Sequence, residues 1–158
     1  MRINYTTYDN RREEDIVNPQ TRPDVMVLSA EAEESEDYHP YWYAQIIDIF
    51  HVRVRYVGPA SRSSDPEWME LLYVRWFGRD LRVKGGWQQQ RLHRIGFVPE
   101  SDPAAFGFLD PSRVIRGVHL IPAFAWHTTT SLMGPSAYAR QYQPDNEDWL
   151  YYYVGMYV

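Results

Sequence analysis

Two long segments of strand-forming residues, separated by a short polar loop, most constrain what this 158-residue chain can fold into. The first, residues 41–57, reads YWYAQIIDIFHVRVRYV, and the second, residues 69–79, reads MELLYVRWFGR. Both are rich in β-branched and aromatic residues. In HVRVRYV, apolar and polar side chains alternate, as they do in a strand with one buried face. The intervening GPASRSSDPE (58–67) has loop composition, so we predict two neighbouring antiparallel strands.

One residue disturbs the alternation of the first segment. Asp48 falls among apolar residues of the same parity, and we predict a bend or bulge there, between two strand portions. Trp42, Ile46 and Ile49 also have helical spacing. A helix over 42–50 is therefore the alternative, which the β-branched and aromatic content disfavours.

The remaining segments predict a mainly β protein. Eleven Pro and nine Gly interrupt the chain too often for long helices. Asp110-Pro111 marks a helix start, since Asp caps free amides and Pro suits the first helical position, and we predict a short helical turn that ends at Gly117. We predict five or six short strands in all, among them 24–30, 95–100 and 118–121. These elements fit a small SH3-like, partly open barrel with long loops and one short helix.

The chain divides by charge near residue 37. Residues 1–37 hold four Arg and ten Asp or Glu, and we predict a polar, acidic N-terminal extension with a single candidate strand. Residues 38–158 are predicted to form the barrel-like domain. This segment stops within the apolar run WLYYYVGMYV, so we expect the domain to be truncated at its C-terminus. With no Cys, no bilayer-spanning apolar run and a polar N-terminus, we expect an intracellular protein, cytosolic or nuclear, with no membrane partner.

Motifs that carry catalysis or hold cofactors are not found in the sequence. The five His do not have the spacing of metal-binding motifs, and neither a GxSxG nucleophile elbow nor a glycine-rich phosphate loop is present. We therefore predict no catalytic residue, no metal site and no cofactor. An enzyme with a dispersed site stays open as an alternative; it would bring His51 or His119 to a carboxylate in a deep pocket.

A basic, aromatic-rich stretch is the feature most suggestive of binding. Residues 50–96 hold nine Lys or Arg against four Asp or Glu, and 15 of the 16 basic residues of the chain are Arg. Arg forks onto carboxylates and phosphates and stacks on rings. Our hypothesis is a polar contact face with supporting aromatic residues, made of Arg53, Arg55, Arg75 and Arg79 with Trp42, Tyr43 and Trp76. A solvated strand face with local ion pairs is the alternative.

The aromatic surplus admits a further interpretation. An aromatic cage holds a methylated lysine by cation–π attraction, and Trp42, Tyr43, Trp76 and Trp87 are candidates for such a cage. The alternative is that most of these rings belong to the core.

The order of these signals resembles a bromo-adjacent homology (BAH) domain over residues 40–124. The motif Val74-Arg75-Trp76-Phe77-Gly78-Arg79 is the most specific part, and YWYAQIIDIF and FLDPSRVIRGVHLI extend the likeness. Gly78 departs from that family, which usually has an aromatic residue there. The resemblance implies an SH3-like barrel that recognises chromatin protein.

The whole chain also resembles an uncharacterised region of long, transposon-associated proteins of mushroom-forming fungi. Segments such as INYTTYDNRREEDIVNP, HPYWYAQIIDIFHV and DWLYYYV carry that likeness. We therefore expect a non-catalytic interaction module with histone tails or DNA as partners. The alternatives are a structural accessory domain of a larger transposon-encoded protein and the dispersed-site enzyme.

Overall fold

A computed structural model describes residues 1–6, 11–32, 34, 38–59, 65–140 and 145–155. The chain is mainly β, as predicted. Its only helical elements in the described part are two three-residue 3₁₀ turns, at Trp87–Gln89 and Pro111–Arg113. The strands are β1 (Arg2–Thr6), β2 (Arg12–Ile16), β3 (Asp24–Leu28), β4 (Tyr41–Val54), β5 (Glu67–Arg79), β6 (Arg94–Phe97), β7 (Phe106–Leu109), β8 (Val114–Gly117), β9 (His119–Pro122), β10 (Thr128–Thr129), β11 (Asp148–Trp149) and β12 (Tyr152–Gly155).

The main sheet has eight strands, in the order β8-β3-β4-β5-β6-β12-β9, with β7 paired to β5 beside β6. Its two edge strands, β8 and β9, are consecutive in the chain and separated only by Val118. One residue spans far less than the width of a flat seven-strand path, so the sheet must curve to bring its edges together. In the described residues the sheet nevertheless does not close into a barrel. β1–β2 and β10–β11 form two further small sheets.

β4 and β5 form one long antiparallel ribbon, in register from Tyr43 opposite Phe77 to Val54 opposite Glu67. This confirms the predicted pairing of the two segments. The register shifts between Ile46 and Asp48, which confirms the predicted bulge, and the alternative helix over 42–50 is wrong. β-Branched and aromatic residues pack well on a pleated surface, which explains why the strand prevails over helical spacing.

Apolar residues pack on both faces of this ribbon. The first core cluster draws on β3, β4, β5, β7 and β8, and the second on β4, β5, β6 and β12. The first consists of Val17, Val25, Val27, Ala44, Ile46, Leu72, Val74, Leu109 and Val114; the second consists of Tyr43, Phe77, Ile95, Phe97 and Val154. With both faces covered over its central part, the ribbon is fixed there, while its distal end near Val54 reaches beyond the two clusters.

The structure corrects several expectations about the elements. Asp110 does cap the helical turn, accepting a hydrogen bond from the Ser112 amide at 2.8 Å, but the turn ends at Arg113, not at Gly117. The next four residues form β8, since β-branched Val114 and Ile115 favour a strand. Twelve strands are present in the described residues where five or six were predicted. The extra ones include the β1–β2 hairpin, whose Ile3 packs against the first core cluster.

Candidate ligand-binding surface

Arg75, predicted to face solvent, is instead one of the most deeply buried side chains, at 1% exposure. Its guanidinium forks onto Asp148, with Nη1 donating to Oδ1 at 3.0 Å and Nη2 donating to Oδ2 at 2.9 Å. It also lies over the ring of Phe97, 3.8 Å from the centroid. The prediction that Arg75 belongs to a solvent-facing surface is therefore wrong, because Asp148 supplies a buried counter-charge from a distant part of the chain.

Arg140 completes a buried network around the same carboxylate. It donates through Nη2 to Asp148 Oδ2 and through Nη1 to the carbonyl oxygens of Gly134 and Asn146. All three charged side chains are essentially inaccessible to solvent. Buried charges need such pairing, since an isolated ion is costly to remove from water. The network therefore fixes the turn that contains Arg140 against the central strand β5.

The other predicted arginines do not lie beside one another. Arg53 and Arg55 are exposed at the distal end of the ribbon, where Arg53 lies 5.8 Å from the ring centroid of Trp68, which is 73% exposed. Arg79 lies at the opposite end of β5, where Nη2 contacts Glu31 at 3.5 Å. Arg79 lies eleven positions after Trp68 on β5, about 36 Å along the strand. The four arginines therefore do not form a single face.

The predicted aromatic residues belong to the core. Tyr43 is buried in the second core cluster, and burial raises its pKa to about 12. Trp42 and Trp76 pack edge-to-face at 6.1 Å against the first core cluster, and Trp42 Nε1 donates to Glu31 at 3.0 Å. The side chain of Trp87 lies outside the described residues. These rings support the ribbon, and a cage of Trp42, Tyr43 and Trp76 is not open to a ligand.

A different set of rings, partly open to solvent, lies around Tyr73. We call it the Tyr73 surface; it consists of Phe50, Tyr73, Phe106, Phe108 and Tyr138, with the carboxylate of Asp48. Tyr73 is its centre, with ring centroids 6.0 Å from Phe106, 5.3 Å from Phe108 and 6.2 Å from Tyr138. Phe50 meets Phe108 edge-on at 6.4 Å. Phe108 is 65% exposed and Tyr138 46% exposed, so ring faces remain accessible.

The strand register explains how the ribbon builds this surface. Tyr73 pairs with Phe108 on one side and with Asp48 on the other, which places all three side chains on one face. The bulge is essential, because Ile47 adds one residue to β4 and so changes which face the following residues occupy. Beyond it, Asp48 projects beside Tyr73, while Ile49 packs against the first core cluster.

Tyr138 reaches the surface from the turn that the buried arginine network fixes. Its hydroxyl donates to Asp48 Oδ2 at 2.8 Å, and Asp48 Oδ1 accepts from the Ile49 amide at 2.7 Å. Desolvation, with the hydrogen bond to Asp48 and its charge, raises the pKa of Tyr138 to about 12. The hydroxyl therefore stays protonated and donates to Asp48. Arg140, two residues further on, is the anchor of this arrangement.

No cation occupies the Tyr73 surface within the described part of the chain. The Arg-over-ring contacts found there all involve other rings, namely those of Tyr5, Trp68, Phe97, Trp126 and Tyr151. The surface therefore combines partly open π faces with a negative rim, and the described residues supply no cation to it. The sequence signal for it is the aromatic alternation Phe106-Gly107-Phe108 on a short strand, which lies outside the basic residues that define the predicted contact face.

A second polar cluster lies at the opposite end of the ribbon. The rings of His39 and His93 meet edge-to-face at 4.6 Å, and Glu31 accepts hydrogen bonds from Trp42 Nε1 and from the amide of His39. Burial is the main cause that lowers the pKa of both His residues, and the charge of Arg79 lowers both further. Both rings are therefore held neutral near pH 7.

A dispersed-site enzyme would need His51 or His119 beside a carboxylate in a deep pocket. His51 lies 3.3 Å from Glu70, and both side chains are exposed. No group of three or more His, Asp or Glu side chains among the described residues is arranged to hold a metal ion. Nor does any described helix have the length and hydrophobicity needed to cross a membrane. Comparisons of the chain with protein-family models, curated proteins and solved structures each gave no match.

Proposed function

We propose that this chain is a non-catalytic interaction module that binds a cationic segment of another protein at the Tyr73 surface. The supporting observation is the solvent-open cluster of rings around Tyr73, with the Asp48 carboxylate at its rim and no cation of its own in the described residues. Cations are attracted to the faces of aromatic rings, and a carboxylate beside them adds a charged acceptor. Exposed aromatic residues on a rigid sheet are also typical of contact surfaces.

Histone tails are the proposed partner class, and a nuclear location goes with it. The resemblance of residues 40–124 to a BAH domain suggests them, since histone tails are rich in Arg and Lys. We propose on the same grounds that the curved, open sheet is an SH3-like barrel of BAH type. In the alternative, a structural domain of a larger transposon-encoded protein, the Tyr73 surface would bind no such peptide.

A histone-peptide array followed by fluorescence titration tests the proposal. Phe108→Ala should weaken binding of the peptides that the array selects by about 2-fold to 30-fold, since an exposed cation–π contact is worth about 0.5–1 kcal/mol and a desolvated one about 2 kcal/mol. Phe124→Ala is the matched control, because Phe124 is also an exposed Phe, at 72%, but contacts Trp149 on a different surface. Equal effects of the two substitutions, or an array without signal, would contradict the proposal.

Nucleic acid is the second candidate ligand, and a separate observation favours it. Exposed Arg53 and Arg55 lie near exposed Trp68 at the distal end of the ribbon, where a phosphate and a stacked base have suitable contacts. Glu67 and Glu70 occupy the same end and oppose a polyanion. Titration of labelled DNA at two salt concentrations tests it: binding that weakens with salt and is lost in Arg53→Ala supports it, and no binding at low salt ends it.

A further inference from the structure

One combination of groups recurs inside this chain: an Arg guanidinium, the face of an aromatic ring, and an Asp carboxylate. Arg94 is the fullest example. Its guanidinium carbon lies 4.4 Å from the ring centroid of Tyr151 and 4.8 Å from that of Trp126. Its Nε and Nη2 donate to Asp80 Oδ2 at 3.0 Å and 2.5 Å. The guanidinium thus contacts two rings that are nearly perpendicular to each other, and the carboxylate accepts its N–H groups.

The same combination occurs at two other places. Arg75 lies over Phe97 at 3.8 Å and forks onto Asp148. Arg116 lies over Tyr5 at 4.4 Å, with its Nε 3.8 Å from Asp15. Rings and carboxylate are thus repeatedly paired in this protein, and the cation between them is each time Arg.

Among the described residues, the Tyr73 surface has the rings and the carboxylate without the cation. We infer that it binds the guanidinium of an arginine side chain supplied by a partner polypeptide, in preference to a methylated lysine. This inference rests on the proposed function, because it assumes that the surface binds a cationic peptide. It goes further by naming the side chain that the surface selects.

The hydrogen bonding of Asp48 explains the preference. Within the described residues, each carboxylate oxygen accepts one hydrogen bond, Oδ1 from the Ile49 amide and Oδ2 from the Tyr138 hydroxyl. A carboxylate oxygen has more than one acceptor site, so each can accept a further hydrogen bond. A guanidinium offers planar N–H donors for these sites while it lies flat on a ring. A trimethylammonium offers no N–H donor, so it would remove water from Asp48 without replacing its hydrogen bonds.

Three small ligands with the same backbone test the inference on the full chain. N-acetyl-arginine methylamide, the corresponding trimethyllysine derivative and the citrulline derivative are titrated, and the NMR signals of Tyr73, Phe108 and Tyr138 are followed. Citrulline keeps the shape and planarity of arginine but lacks its charge. The arginine ligand should shift these ring signals with a dissociation constant at least about 10-fold below that of trimethyllysine, since one charged hydrogen bond is worth about 1.4 kcal/mol or more. The citrulline ligand should bind more weakly than the arginine ligand.

Asp48→Asn is the matched variant, since the amide oxygen of Asn still accepts a hydrogen bond while its charge is gone. It should bring the affinity for arginine down to that for trimethyllysine. Tighter binding of trimethyllysine than of arginine to the wild-type chain, or an arginine preference unchanged in Asp48→Asn, overturns the inference while the proposed function stands. Absence of binding by both cationic ligands and by Arg-bearing histone peptides rejects both.

Discussion

Replacement of Asp148 by Ala should destabilise this protein more than any single change on its surface. Asp148 is the carboxylate between the buried guanidinium groups of Arg75 and Arg140. Without it, Arg75 keeps only the ring of Phe97 as a described partner, and Arg140 keeps two backbone carbonyl groups. Removing one partner of a buried ion pair typically costs about 3–5 kcal/mol. Because two guanidinium groups lose their counter-charge here, we expect at least about 4 kcal/mol, a large part of the roughly 5–15 kcal/mol by which domains are stable.

Arg75→Met provides the comparison that separates this reasoning from a general sensitivity of the core. In that variant Asp148 still pairs with Arg140. The buried network then has no net charge, whereas the wild-type network carries one excess positive charge. The loss is then mainly the unsatisfied Asp148 Oδ1, whose described donor is Arg75 Nη1, and costs about 1–3 kcal/mol. The Met side chain still covers the Phe97 ring, with a favourable sulfur–aromatic contact.

Urea unfolding followed by tryptophan fluorescence measures both variants. With a slope of about 2 kcal/mol/M, the unfolding midpoint of Asp148→Ala should fall by about 2 M or more, and that of Arg75→Met by about 0.5–1.5 M. A loss below about 1 kcal/mol for Asp148→Ala would refute the reasoning, and so would a larger loss for Arg75→Met. If Asp148→Ala does not fold at all, a folded Arg75→Met variant still agrees with the prediction that Asp148→Ala is the less stable of the two.

Two further predictions concern pH. The pKa of His39 and of His93 is lowered, mainly by burial, so the folded state favours their neutral forms. Their contribution to stability is therefore present above the ordinary pKa of about 6.5 and is lost as the pH falls below it. Urea unfolding at pH 7.5 and pH 5 should show this loss, and His93→Gln should reduce it; an equal loss in the variant would contradict the assignment. Burial raises the pKa of Asp24 to about 7, so its stability contribution changes with pH in the opposite direction. The contribution is complete below the ordinary pKa of 3.8 and is lost as the pH rises through about 7. The stability of Asp24→Asn relative to wild type should therefore rise between pH 4 and pH 7, by at most about 1.4 kcal/mol per pH unit, and level off above; a constant difference would show that Asp24 is not buried as an acid.

The ribbon could be predicted because its signals are local. Alternation along β4 and β5, the loop between them and the misplaced Asp48 are all read within a short stretch of chain, and the pairing and the bulge follow from them. The β1–β2 hairpin lacks such a signal, since β2 reads REEDI and its side chains are largely exposed. Its place in the fold depends on contacts such as Ile3 against the first core cluster, which no local pattern encodes.

The environment of the arginines could not be predicted for a related reason. Arg53 and Arg75 each occupy an alternating position on a long strand, and both patterns are typical of a half-buried strand with a wet face. Their surroundings differ because Asp148, 73 positions beyond Arg75, reaches it from a segment of loop composition. The Tyr73 surface depends on a contact of the same kind, since Tyr138 donates to Asp48 across 90 positions.

The burial of Arg75 also changes what the motif Val74-Arg75-Trp76-Phe77 indicates. Val74 and Trp76 pack with the first core cluster, while Phe77 belongs to the second and Arg75 to the buried network. All four side chains are thus engaged within the protein, so a likeness to BAH domains that depends on this motif concerns how the sheet is packed. A ligand can contact only side chains that the packing leaves open, and among the described residues the Tyr73 surface, which begins one residue before this motif, is such a set. Recognition by this chain should accordingly respond to substitutions at Tyr73, Phe108 and Asp48, whereas substitutions within the motif should act through stability.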